Sequence, residues 1–243
     1  MLAPRPIMTP FSFDIVGFDL DGTLVDTSGD LTAAVNHALE AAGRAALSVD
    51  RVTPMIGAGA KRTLEQALEA TGGCEREEFR RLYKLLLAYY EAHIAAHSRP
   101  YEGAIQAVDA LIAMGVKVAI VTNKFESLAE KLLRELGIRD RFTALIGGDT
   151  LGPGNSKPSP APIHEMIARC GGGRAAFVGD SSFDILAAKN AGIASVAVSF
   201  GFLLGPVEEL DADAVVDGYA ELISALEGLK AKTCRSTEQA AGH

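Results

Sequence analysis

The chain is poor in cysteine, and the three it has, Cys74, Cys170 and Cys234, form an odd set with neither C-x-x-C nor metal-ligand spacing. They fit free thiols in a reducing compartment and are assigned no role. Positive charge is also scarce: 23 Lys and Arg against 31 Asp and Glu leave a formal net charge of −8. A sequence-independent nucleic-acid surface needs clustered positive charge, so no nucleic-acid partner is expected and a small molecule is the better candidate. No apolar run reaches the roughly 18 residues that a membrane span requires. The opening "MLAPRPIMTPF" has no charged lead followed by a long apolar stretch, and Pro4, Pro6 and Pro10 break any helix there. Neither signal peptide nor membrane anchor is expected, which makes the cytoplasm the expected location; Met1 and Met8 are both candidate starts. Internal repeats and low-complexity tracts are absent. Oligomeric state has no signature in the sequence.

What is present suffices for a core, since 48% of the 243 residues are hydrophobic. Short apolar runs rich in β-formers recur at 13–19, 116–122, 144–148, 175–180, 195–200 and 213–216. Helical patterns of ten or so residues separate most of them, and four of these end at Gly115, Gly137, Gly171 and Gly192, suited to helix C-caps. Strands alternating with helices predict a doubly wound, Rossmann-like α/β fold with a parallel sheet covered on both faces. One interval breaks the rhythm. Nearly a hundred residues separate the first two strands, whereas a βαβ crossover needs about a dozen or somewhat more. The segments 30–43, 60–73 and 77–97 carry apolar residues at i, i+3, i+4 spacing, which predicts a helical insertion. The expected organisation is a core of 1–24 and 100–230, a helical cap domain over 25–99 and a disordered tail over 231–243.

Ligands of open α/β sheets bind beyond the carboxyl ends of the strands, where the strand order reverses. Asp19 closes the first predicted strand, Thr122 the second and Asp180 the fourth, so three polar side chains converge on one sheet edge. Lys157 in "NSKPSP" lies on a loop able to reach the same edge, and Asp184 stands four residues beyond Asp180 at a helix start. Other readings of these residues are weaker. "DLDG" also resembles the start of a calcium loop, but an EF-hand needs an entering helix and a further ligand, both missing. Asp184 has a plain alternative as a helix-start carboxylate, and Asp26 and Asp30 read as linker and helix-start carboxylates. His93 and His97 have i, i+4 spacing, but Ile94 rather than Glu follows His93; the pair reads as an ordinary helix face, without metal.

"DLDGT" (19–23), "VTN" (121–123), "KPSP" (157–160) and "GDSSFD" (179–184), in this order and with a helical insertion after the first, resemble the four motifs of the haloacid dehalogenase superfamily. Within it, "VTNK", "VGDSSFDILAAKNAG" and "ADAVVDGYAEL" are similar to the phosphoglycolate phosphatase group. The resemblance implies a Mg²⁺-dependent phosphatase that hydrolyses a small phosphomonoester, 2-phosphoglycolate first, with Asp19 as the nucleophile that becomes an aspartyl-phosphate. It also implies Mg²⁺ held by Asp19, the Asp21 carbonyl and Asp180, with Asp184 orienting the metal shell through water or Lys157. Physical chemistry asks for the same parts. A carboxylate approaching a phosphate is repelled by about 4 kcal/mol per charge pair at roughly 4 Å and an effective dielectric near 20, so countercharge is obligatory. Lys157 supplies a second positive charge. The Thr122 hydroxyl and loop amides from Leu20 to Gly22 and at Asn123 would hold phosphate oxygens. Asp21, two residues past Asp19, points the same way if extended geometry persists, and would serve as general acid and then base. The dehalogenase and phosphonatase branches lack that aspartate, which favours a phosphate ester.

In the insertion, "MIGAGAKR" (55–62) joins Gly57 and Gly59 to Lys61 and Arg62. Lys61 or Arg62 is expected to meet a carboxylate on the substrate beyond its phosphate; two solvated charges at a helix start are the plain alternative. Two other functions remain open at this point. A sugar-phosphate mutase uses a similar nucleophile and acid/base pair, and an idle binding protein would keep the fold but would be expected to lose Asp19, Asp21, Lys157 or Asp180.

Overall fold

The computed structural model describes residues 11–229. The choice between Met1 and Met8 and the expected tail over 231–243 lie outside these residues. In chain order the elements are β1 (Ile15–Phe18), β2 (Val25–Asp26), α1 (Ser28–Ala41), α2 (Val49–Val52), α3 (Ala60–Glu69), α4 (Arg76–Ala92), β3 (Arg99–Pro100), α5 (Ala104–Ala113), β4 (Lys117–Val121), α6 (Glu126–Glu135) and β5 (Ala144–Ile146). There follow α7 (Ala161–Arg169), β6 (Ala175–Gly179), α8 (Ser182–Asn190), β7 (Ala194–Val198), β8 (Ala214–Val216) and α9 (Leu222–Gly228).

Six strands form one sheet in the order β5-β4-β1-β6-β7-β8, every neighbour parallel. A parallel sheet is covered on both faces, and its strands are apolar throughout for that reason. Alternation along β1 distributes its side chains: Ile15 packs with Ile163 and Met166 of α7, while Val16 and Phe18 join Val108 and Leu111 of α5 on the other face. The chain runs outward from β1 through β4 to β5, then returns to β6 on the opposite side. The reversal point is therefore β1, and the carboxyl end of β1 is the place to look for a site. Gly115, Gly137, Gly171 and Gly192 all take positive φ after their helices, as expected of C-caps.

Between β1 and β4 the long interval is indeed helical, built of α1 to α4 around Leu39, Leu64, Leu68, Leu82, Leu86 and Tyr90, all buried. Its two ends meet. β2 and β3 pair antiparallel, Val25 opposite Pro100 and Asp26 opposite Arg99. The Asp30 carboxylate, buried, accepts from the amides of His97 and Ser98 and from the Ser98 hydroxyl at 2.6–3.0 Å. Asp30 thus does more than start a helix; it ties the exit of the insertion to its entrance. Asp26 accepts from the Ser28 amide and hydroxyl and so turns the chain into α1. The tie at Asp30 also corrects the helix-face reading of His93 and His97. α4 stops at Ala92 with His93 as its C-cap, because the chain must turn to bring His97 onto Asp30.

Candidate active site

Asp19 lies one residue beyond β1, its amide donating to the Val178 carbonyl at 2.9 Å and so continuing the ladder toward β6. The carboxylate is buried, with Oδ1 2.8 Å from the ammonium of Lys157. The same ammonium donates to Asp184 Oδ1 at 2.6 Å. Asp184 Oδ2 accepts from the Ser181 amide and hydroxyl at 3.0 and 2.5 Å, closing a capping box on α8. Asp184 is therefore both a helix-start carboxylate and the partner of Lys157. Asp180 is fixed by two donors, the Thr23 hydroxyl on Oδ1 (2.8 Å) and the Phe202 amide on Oδ2 (2.7 Å). Gly22 makes this packing possible: its φ is 83°, and a Cβ there would stand 2.4 Å from Asp180 Oδ2.

One oxygen from each of Asp19, Asp180 and Asp184 lies within 4.8 Å of the others, all three residues buried. One ammonium among three carboxylates leaves a deficit of positive charge. Burial accordingly pushes the Asp19 carboxyl up to about 7; Lys157 pulls it back, and the charges of Asp184 and Asp21 push it further up. Asp180 is raised for the same first reason, with Asp184 and Asp19 adding to it. Lys157 keeps its proton: burial alone would lower it, but the Asp184 and Asp19 carboxylates outweigh that. Asp19 Oδ1 has no hydrogen-bond partner of proper geometry among the described residues, although Lys157 is within ion-pair distance. Hard oxygen ligands, excess negative charge and an unsatisfied carboxylate oxygen fit a small divalent cation such as Mg²⁺.

Beyond Asp19 the chain turns at Leu20, which removes the premise of extended backbone for Asp21 pointing the same way as Asp19. The amides of Leu24 and Val25 both return to the Leu20 carbonyl. Asp21 instead meets a lysine absent from the sequence reading. Lys124 Nζ donates to both its oxygens at 2.5 and 2.6 Å, and the Thr27 hydroxyl donates at 2.7 Å. Buried Lys124 also stays protonated: burial opposes its charge, and Asp21 restores it. The clue was in "VTNK", where Lys124 directly follows two residues already assigned. Gly22 gives its N–H to the Val25 carbonyl, so of the loop amides proposed for phosphate, those of Leu20, Asp21 and Asn123 are the ones without an acceptor among the described residues.

Thr122, buried at the end of β4, accepts from the Lys124 amide at 3.2 Å. The Asn123 side chain is a bracket: it accepts from the Lys157 amide (2.9 Å) and donates to the carbonyls of Lys157 and of Gly57 in the insertion (both 3.2 Å). It thereby fixes the lysine loop and docks the "MIGAGAKR" loop on the core. Gly59 lies close too, with φ 87° and a virtual Cβ 3.2 Å from the Asn123 carbonyl. Between core and insertion is a cavity of about 190 Å³, lined by Asp21, Thr122, Asn123 and Lys124 on one side and by residues 56–61, Tyr83 and Tyr90 on the other. Lys61 lines it, with its side chain mostly in solvent and 3.9 Å from Glu65. Arg62 is not in the lining and lies 3.4 Å from Glu65.

The family of haloacid dehalogenase-like hydrolases matches residues 16–198. The chain belongs to this family. The matched span runs from β1 to the end of β7 and contains all four motif segments. Among relatives of this haloacid dehalogenase-like hydrolase, a phosphoglycolate phosphatase of Agrobacterium fabrum is 42% identical over 86% of the chain and 90% of its own length. One from Mesorhizobium japonicum is 38% identical over 94% of the chain and 98% of its own length. A crystal structure of a predicted phosphoglycolate phosphatase from Haemophilus somnus superimposes with a TM-score of 0.83 at 31% identity, covering 89% of this chain and 98% of that one.

Proposed function

We propose that this phosphoric monoester hydrolase acts on a small phosphomonoester, 2-phosphoglycolate first, through a covalent intermediate on Asp19. The observation that carries the reading is the buried cluster of Asp19, Lys157, Asp180 and Asp184 at the sheet's reversal point. The substrate preference follows the names of the relatives. Asp19 and Asp180, with the Asp21 carbonyl and with Asp184 completing the acidic shell, would hold Mg²⁺, whose charge would offset that of the phosphoryl group. Lys157 places its ammonium beside the nucleophile, and Asp184 fixes that ammonium from its far side. The free amides of Leu20, Asp21 and Asn123 and the Thr122 hydroxyl would receive phosphoryl oxygens.

In the first step an Asp19 oxygen would form a bond to phosphorus as the bond to the leaving oxygen breaks, and Asp21, entering this step as the protonated acid, would give its proton to that oxygen and become the carboxylate that pairs with Lys124. In the second, Asp21 takes a proton from water as water attacks phosphorus, freeing phosphate and Asp19. Lys124 and Thr27 hold Asp21 at the boundary between the acidic cluster and the cavity, where the leaving group would lie. The insertion would act as a cap, and Lys61, not Arg62, is the member of the basic pair that borders the cavity. Asp19→Asn is expected to abolish phosphate release with the fold intact. A panel of phosphomonoesters compared by kcat/KM tests the substrate, and a higher ratio for a bulky or uncharged ester than for 2-phosphoglycolate would refute the choice.

A further inference from the structure

The loop that follows β4 is held from its far side. The Lys124 carbonyl accepts from the Gly148 amide at 2.8 Å, and the Glu126 amide donates to the Asp149 carboxylate at 2.8 Å. Gly148 packs so close that a Cβ there would stand 2.5 Å from the Asn123 carbonyl oxygen. From this base the Asn123 side chain faces two other loops, and both its donors are used. Its N–H groups go to the carbonyls of Lys157 and Gly57, and its oxygen accepts from the Lys157 N–H. The reverse orientation would set the oxygen against both carbonyls, so the network fixes the amide in this one. Neither backbone group of Lys157 has another partner among the described residues, nor has the Gly57 carbonyl.

We infer that the Asn123 side chain is a positioning device that makes the seating of the insertion's loop and the placement of Lys157 beside Asp19 a single event. Two carboxylates compete for the Lys157 ammonium, Asp184 at 2.6 Å and Asp19 at 2.8 Å. Its division between them is set by where the lysine's backbone stands, and Asn123 holds that backbone on both sides of the residue. A displacement of about 1 Å suffices to cost about 100-fold in rate at such a site. When the insertion's loop is seated, the bond to Gly57 fixes the plane of the amide and with it the grip on Lys157. When that loop lifts, one N–H loses its acceptor and the amide is free to turn away from the Lys157 carbonyl. The link runs both ways: whatever seats the loop tightens the lysine, and whatever fixes the lysine favours the seated loop. What the lysine does for the reaction rests on the phosphatase reading; the link between the two loops does not.

The test combines amide hydrogen exchange over 55–62 and 155–159 with steady-state kinetics, on the full chain with Mg²⁺. In the wild type, inorganic phosphate is expected to slow exchange in both segments together; slowing in only one of them, or in neither, overturns the link. In Asn123→Ala, exchange without phosphate is expected to rise about tenfold in both segments. A rise confined to 55–62 would mean that Asn123 only docks the insertion, and would refute its hold on Lys157. The kcat of this variant is expected to fall about 10- to 100-fold for 2-phosphoglycolate and for a generic aryl phosphate alike, because Lys157 stands beside Asp19 whatever the leaving group. KM should change little, since the variant keeps its backbone N–H for phosphate. A raised KM at constant kcat, or a lowered Tm at constant kcat, overturns the positioning role. If Asn123→Ala does not fold, Asn123→Ser replaces it, with the same outcomes. Wild-type failure to release phosphate from any ester would remove the phosphatase reading, while the exchange experiments still decide whether the two loops are linked.

Discussion

The two oxygens of Asp184 serve different neighbours, and substitution can separate them. Asn keeps an acceptor for Ser181 but loses the charge that holds Lys157, whereas Ala loses both. Asp184→Asn is expected to lower kcat by about 10- to 100-fold, the usual range for a group that orients a metal or catalytic side chain, without loss of stability. Asp184→Ala should lose similar activity and, relative to Asn, about 1 kcal/mol of stability for the broken capping box. Steady-state kinetics beside urea unfolding measures both, and equal stability of the two variants would refute the capping share. Asp19, Lys157, Asp180 and Asp184 were legible as residues because they follow in the order of the resembled motifs and lie at strand ends, or in a loop or helix start beside them, where phosphoryl chemistry calls for carboxylates and a countercharge. Lys124 was not, since a lone lysine after a strand is most often a surface residue, and only its 2.5–2.6 Å approach to Asp21 distinguishes it.

At the scale of elements, alternating strands and helices were readable because buried parallel strands have to be apolar on both faces, as Ile15 to Phe18 are. The insertion was readable from its length. Its boundaries were not, because they depend on partners distant in sequence: Ile94 to Ala96 continue a helical pattern, and the helix ends only because Asp30 draws in His97 and Ser98. β2 and β3, two residues each, have no sequence signal apart from each other. The neck makes its own prediction. Asp30→Ala leaves three donors, two amides and a hydroxyl, without their acceptor in a buried place, and is expected to cost about 3 kcal/mol in urea unfolding. Asp30→Asn retains an acceptor oxygen and should cost clearly less. A loss below about 1 kcal/mol for Asp30→Ala would mean that the β2–β3 pair alone holds the insertion's ends together.

For the molecule as a whole, the acidic cluster opposes folding unless its charge is offset. The folded-state carboxyl of Asp19 is raised from 3.8 to about 7, chiefly by burial, so the folded protein binds a proton there more tightly than the unfolded chain does. Stability must therefore fall as pH rises through the window from about 4 to about 7, and the whole deficit is present above it. Asp180, raised by the same burial, acts in the same direction. A divalent cation bound by the ionised carboxylates would act against this trend and most strongly where they are ionised. At about 100 times its dissociation constant it would contribute about 2.7 kcal/mol. Thermal unfolding followed from about pH 5 to about pH 8 should thus show a declining Tm in chelator and a flatter profile with saturating Mg²⁺. Asp19→Asn should flatten the chelator profile by itself and weaken the response to Mg²⁺. If instead Mg²⁺ raises Tm equally at both ends of the range, or Asp19→Asn declines as steeply as wild type, the pH dependence arises outside this cluster and the cation is not held by Asp19.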